Sequence, residues 1–238
     1  MRNAILLILI SLLFITDTKQ NIRLESKLLY FTCTLDTITV EYDMRPKHAY
    51  SYNDSSLPKS FRERLNELGQ DFVDSVHAIE NRLNFEKGSL LLVMWGESSI
   101  KPTSKSRWSS ASGLIGFMAS TQRSLGMTKH VTHYDIFEQL KYVEKYYQRK
   151  VKRLGKEPYS TIDVYLFTFY PVAVGKPDNF IFGSESKINK KATIAKIYRA
   201  NSGLDYNRDG ILTVRDFKDH IKKSRKLGHV YSFIKRKT

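Results

Sequence analysis

Residues 90–99 read Leu-Leu-Leu-Val-Met-Trp-Gly-Glu-Ser-Ser: six apolar side chains in succession, then a carboxyl group in a short polar ending. A run with no polar face has to be buried on all sides, as a core helix or an inner strand. The helical patterns around it favour the helix. Glu97 then stands where buried chain meets solvent. Partial burial disfavours the charged form of a carboxylic acid and raises its pKa, toward about 6 in groups that act as general acids. Such a carboxyl suits cleavage of a glycosidic bond, because the leaving oxygen takes up a proton as the bond breaks. From the local sequence alone, a helix-terminal Glu pointing into water is the stronger of the two readings.

Upstream, Phe61, Leu65, Leu68, Phe72, Val76, Ile79 and Leu83 recur at spacings of three and four and predict one amphipathic helix over 58–83, punctuated by Gly88. Downstream, the polar, Ser-rich residues 101–112 read as a loop. A second amphipathic helix is expected over 134–150, with Ile136, Phe137, Leu140, Val143 and Tyr147 inward. Ser160 with Asp163, and Thr213 with Asp216, have capping-box spacing and open two further helices, the first stopped by Pro171. A short helix is expected over 193–200. Earlier in the chain, residues 30–42 are rich in Thr, Val, Ile and Tyr and predict a strand or hairpin, followed by a turn or linker over 53–58. The expected organisation is therefore an all-α body over 57–222, an N-terminal extension with strand character over 21–56, and a basic C-terminal tail over 223–238.

The chain has 238 residues, which suits one domain with appendages or two small domains. Its 41% apolar and 12% aromatic content supplies a hydrophobic core, and 26% charged residues argue against wholesale disorder. The 39 Lys and Arg against 24 Asp and Glu give a net charge of +15, so the surface prefers a polyanion: nucleic acid, an anionic membrane or an anionic cell wall. Arg2 precedes an apolar run over 4–15, and polar residues begin at Thr16. That is the form of an export signal, too short to span a bilayer comfortably; a buried N-terminal strand or helix is the alternative. Thr16 to Gln20 contain no small-x-small cleavage site, so residues 1–20 read as a signal peptide or an uncleaved anchor, with a periplasmic or secreted body. Cys33 is the single cysteine, which leaves no internal disulfide and no Cys-based zinc site.

MWGESS (94–99), the Ser-rich loop and SGLIGFM (112–118) together resemble the core signature of the lysozyme-like superfamily, in particular lytic transglycosylase domains of the soluble and phage-associated kinds. ASTQRSLGMT (119–128), EQLKYVEKYY (138–147) and DVYLFTFYP (163–171) resemble the phage-type branch, so the similarity covers roughly residues 60–220. The resemblance implies a lysozyme-like helical domain acting on the glycan strands of peptidoglycan, with no cofactor required. It makes Glu97 the catalytic acid and base, and Ser98 the polar residue beside it. Gly113 and Leu114 become backbone that approaches the substrate, and Tyr170 corresponds loosely to an aromatic loop near the acid. The chain departs from soluble transglycosylases in having Gly116 where they usually have Gln, and in lacking an Ala-Tyr-Asn-Ala-Gly motif.

No second carboxyl group occupies a comparable motif, and Asp135 and Asp163 read as helix-start residues. This favours the transglycosylase route over two-carboxylate hydrolysis. In that route the muramoyl 6-hydroxyl closes on its own anomeric carbon and gives a 1,6-anhydro product. The alternatives are a muramidase that hydrolyses the same bond, or a non-catalytic peptidoglycan-binding protein with a degenerate groove. A nucleic-acid binder, the third class, is disfavoured by the export signal.

Asp205, Asn207, Asp209, the Ile211 carbonyl, Thr213 and Asp216, with Gly210 at the turn, have the spacing of an EF-hand loop over 205–216, and a structural Ca²⁺ is the cofactor it suggests. Asp216 in place of a bidentate Glu, Arg208 within the loop and the lack of a long preceding helix all weaken that match. His130 and His133 lie at i, i+3 without a third ligand nearby and read as exposed histidines. Trp108, in the polar loop, is a candidate for stacking on a sugar face or for ordinary packing. The basic stretch that includes Lys222, Lys223, Arg225, Lys226, Lys235, Arg236 and Lys237 lacks a nucleic-acid motif, so attraction to an anionic wall or membrane is the simpler reading.

Overall fold

The apolar run forms helix α3, and the rest of the body is arranged around it. The computed structural model describes the strands at 30–35 and 38–43 and residues 52–237; the expected export segment lies outside the described residues. Strands β1 (Tyr30–Leu35) and β2 (Ile38–Asp43) make an antiparallel hairpin with Cys33 opposite Val40, as the β-rich composition predicted. The hairpin belongs to a unit of its own, residues 1–51, and the body begins at Tyr52.

The body is helical. In chain order it contains α1 (Lys59–Leu68), α2 (Gln70–Arg82), α3 (Ser89–Ser98), α4 (Ala119–Ser124), α5 (Ile136–Leu154), α6 (Thr161–Phe169), α7 (Lys190–Asn201), α8 (Val214–Lys223) and α9 (Gly228–Lys237). The helix expected over 58–83 is two helices. Gly69, at φ +80° and ψ 169°, leaves helical backbone between α1 and α2 in a region that L side chains rarely adopt. Phe61, Leu65, Phe72, Val76 and Ile79 are nevertheless all buried, so the apolar period runs unbroken across the corner.

Helix α5 starts at a capping box between Asp135 and Glu138 and runs to Gly155, past the expected end at 150. Leu140, Val143 and Tyr147 face the core, but Ile136 is only half-buried and Phe137 is 43% exposed. The first turn of α5 therefore projects beyond the core. Ser160 caps α6 by accepting from the Asp163 N–H, and Thr213 caps α8 in a full capping box with Asp216. Helix α7 spans 190–201 and buries none of its residues. The stretch expected as a basic tail is instead α9, with Val230, Phe233 and Ile234 buried against the body.

Helices α3 and α6 are apolar on nearly every side and pack closely against each other. A helix without a polar face must satisfy its first N–H groups inside the protein. Two buried carboxyl groups do so. Glu80 of α2, with no exposed surface, accepts from the N–H groups of Gly88 (2.8 Å) and Leu90 (2.7 Å) at the start of α3, and pairs with His77 Nδ1 (2.7 Å). Glu86 accepts from the Thr161 N–H and hydroxyl, each at 2.6 Å, at the start of α6, and from Lys235 Nζ of α9 (2.5 Å). Negative groups at helix N-termini are also favoured by the helix dipole. Each central helix is thus pinned at its first turn, which sets where its far end lies.

Candidate active site

Glu97 lies in the last turn of α3, where the helix ends in two successive residues with left-handed backbone, Ser99 (φ 55°) and Ile100 (φ 58°). Left-handed backbone is costly for a β-branched residue. Complete burial of the Ile100 side chain and hydrogen bonds from Arg64 to its carbonyl, Nη2 at 2.9 Å, hold it there. Glu97 itself is exposed, yet protein surrounds its carboxyl group densely enough for desolvation to dominate its ionisation. The two observations describe one situation: a side chain that reaches solvent while protein crowds its carboxyl group. Desolvation raises its pKa above the usual carboxylate range, against the lowering effects of the Tyr165 hydroxyl and the Lys226 cation.

Tyr165 is the residue that the sequence did not single out. It projects from α6, is buried, and directs its hydroxyl at Glu97. Gly96 makes this possible: a β-carbon at position 96 would lie 2.1 Å from Tyr165 Oη. Burial, reinforced by Glu97, pushes the Tyr165 hydroxyl well above its ordinary range, so it keeps its proton and serves as a hydrogen-bond donor. Tyr146, on α5, is pushed upward by burial and by Glu97 as well. The hint in the sequence was a tyrosine amid the apolar residues Val164, Leu166 and Phe167.

The loop of SGLIGFM lies beside the acid. A β-carbon on Gly116 would lie 3.4 Å from Glu97 Oε2, so the absence of a side chain there keeps that face of the carboxyl uncovered. Gly113 and Leu114, expected to approach a substrate, fix this loop to its neighbours. The Gly113 N–H donates to Ser104 O (2.9 Å), and the Leu114 N–H to Gln139 Oε1 (3.1 Å). The Ser98 hydroxyl donates to the Leu114 carbonyl (2.8 Å) and to Met94 O (3.0 Å), so Ser98 ties α3 to the loop from inside the core. Two buried amides complete the framework. Gln139 donates to Pro102 O and Val131 O, both at 2.9 Å, and Gln122 donates to Phe117 O (3.0 Å).

Other expected site residues lie in different surroundings. Trp108 is 89% exposed on the 101–112 loop. Tyr170 packs on Phe182 at 5.0 Å between ring centroids and donates its hydroxyl to Glu185. His130 is engaged with Ser112 Oγ (3.3 Å) and Thr132 Oγ1 (2.9 Å).

The six suggested calcium ligands are divided between a turn and a helix cap. Asp205 accepts from the N–H groups of Arg208 (2.7 Å) and Gly210 (3.0 Å), and Asn207 donates to Asp209 Oδ2 (2.8 Å). Ile211 donates its N–H to Asp209 Oδ1 (3.0 Å). Asp216, buried, accepts instead from the Thr213 hydroxyl (2.5 Å) and N–H (2.9 Å). Among the described residues, no group of three or more His, Cys, Asp or Glu is placed to share a metal ion.

Comparison with protein families and with characterised proteins found no match for the chain.

Proposed function

We propose that the chain is a lysozyme-like lytic transglycosylase that cleaves the β-1,4 bond between N-acetylmuramic acid and N-acetylglucosamine in peptidoglycan. What carries this reading is a desolvated carboxyl group on a side chain that still reaches solvent, held toward its protonated form, with the Tyr165 hydroxyl and the side-chain-free Gly116 beside it. Glu97 gives its proton to the glycosidic oxygen as the bond from C1 breaks. The carboxylate so formed keeps the Tyr165 hydrogen bond, which favours the charged form. Glu97 then takes the proton of the muramoyl 6-hydroxyl as O6 bonds to C1, leaving a 1,6-anhydro end and restoring the acid. No water is consumed. Among the described residues, Tyr165 and Lys226 are the groups that offset the desolvation of Glu97, and the proposed route calls on no second carboxylate of the kind that hydrolysis uses. The net charge of +15 fits work on an anionic wall after export, and no nucleic acid enters the reading.

The test is digestion of purified peptidoglycan by wild type and Glu97→Gln, with products read by mass spectrometry. Anhydro-muropeptides from the wild type alone are expected. Reducing ends would move the assignment to a muramidase, and equal inertness of both proteins would leave a binding module.

A further inference from the structure

The turn that joins α8 to α9 reaches the end of α3. The Trp95 indole N–H donates to the Lys226 carbonyl (2.9 Å), and Lys226 Nζ donates to the Gly96 carbonyl (2.9 Å) and lies 5.5 Å from the Trp95 ring centroid. The turn is itself tightly held. The Leu227 side chain is buried, and the Gly228 N–H donates to Ser224 O (2.9 Å). A β-carbon on Gly228 would meet Lys222 O at 2.5 Å. A carbonyl in the last turn of a helix lacks an intrahelical partner and carries the negative end of the helix dipole, so a lysine there is favoured. Here that carbonyl belongs to the residue just before the acid.

We propose that Lys226 is a positioning residue for Glu97, fixing the last turn of α3 and setting a cation beside the carboxyl group, so that the α8–α9 turn is part of the active site. The inference rests on the reading of Glu97 as the general acid. Facing Glu97 from the elements around it are the Tyr165 hydroxyl of α6, Tyr146 and Tyr147 of α5, the uncharged Gly116 loop, and Lys226. Among the described groups that act directly on Glu97, Lys226 is the cation; Lys150 of α5, its own pKa lowered by burial to about 8, stands one step back and donates to the Tyr146 hydroxyl. A neighbouring positive charge favours the carboxylate, so Lys226 offsets part of the desolvation that raises Glu97.

The experiment is a titration of Glu97 by ¹³C NMR in protein carrying labelled glutamate, assigned with Glu97→Gln, in wild type, Lys226→Met and Lys226→Arg. The same variants are assayed on peptidoglycan across pH. Lys226→Met is expected to move the Glu97 midpoint, and the alkaline limb of activity, upward by about half a pH unit or more; Lys226→Arg restores both. Loss of a merely structural contact would lower the melting temperature and leave the midpoint in place. An unmoved midpoint in folded Lys226→Met overturns the proposal. If that variant does not fold, Lys226→Gln is titrated by the same criterion. The titration needs no substrate. A midpoint that moves in a protein inert on peptidoglycan would sustain the action of Lys226 on Glu97 while removing the transglycosylase reading.

Discussion

The hydroxyl of Tyr165 fills the place where a side chain at position 96 would begin, with only 2.1 Å between Oη and a β-carbon built on Gly96. Glycine at 96 and tyrosine at 165 are therefore one device that brings a donor to Glu97. Gly96→Ala is expected to displace the ring, destabilise the protein by about 1–3 kcal/mol through overpacking, and lower peptidoglycan turnover by about tenfold or more. Tyr165→Phe keeps the ring. It is expected to preserve most of the stability and to reduce turnover by roughly 10–100-fold, the worth of a hydrogen bond to a charged group. Chemical denaturation and turnover assays on both variants check this.

In the proposed mechanism Glu97 acts first in its protonated form, so activity should fall as pH rises through its raised pKa. Tyr165→Phe removes a group that lowers this pKa, and its alkaline limb should move to higher pH. A pH–rate profile of kcat/KM, which reports the free enzyme, decides the matter.

The same shift has a sign for stability. A carboxyl group whose folded pKa is raised favours folding fully below its unfolded pKa and loses that contribution as pH rises through the folded pKa. Glu97→Gln should therefore raise the melting temperature, relative to wild type, more at pH 7 than at pH 4, and under the proposed function it should also abolish cleavage. Calorimetry at the two pH values tests it; a destabilised variant at pH 7 would contradict the assigned environment.

Glu80 caps α3 from inside the core. Glu80→Ala strands the N–H groups of Gly88 and Leu90 and is expected to cost about 3 kcal/mol or more. Because the cap sets the position of α3, activity should suffer even under conditions where the variant is folded. Urea unfolding combined with turnover of the folded fraction separates the two effects.

Gly69→Ala tests the corner between α1 and α2. No atom lies within 4 Å of its built β-carbon, so the expected loss of about 1–2 kcal/mol comes from backbone strain alone. An unchanged denaturation midpoint would mean that 58–83 can run as one helix.

What was legible in the sequence was local. Ser160 and Thr213 announced their helices because a cap and its target N–H lie three residues apart, and Glu97 stood out because the apolar run adjoins it. The corner at Gly69 was hidden by an apolar period that continues through it. Tyr165 and Lys226 were hidden for another reason. Each meets Glu97 only after distant segments pack together, and no spacing encodes that meeting. Gln139 reads as one polar residue on an amphipathic helix, and only the fold reveals its amide bridging the loop beside the acid.

Helix α9 carries Lys235 to Glu86 and buries Val230, Phe233 and Ile234 in the body, while the turn before it supports the end of α3. The ribosome makes α3 and α6 well before the segment that completes their surroundings. A nascent chain therefore holds Glu97 in unfinished surroundings until α9 has emerged, so α3 and α6 cannot complete their packing while that segment is still to be made.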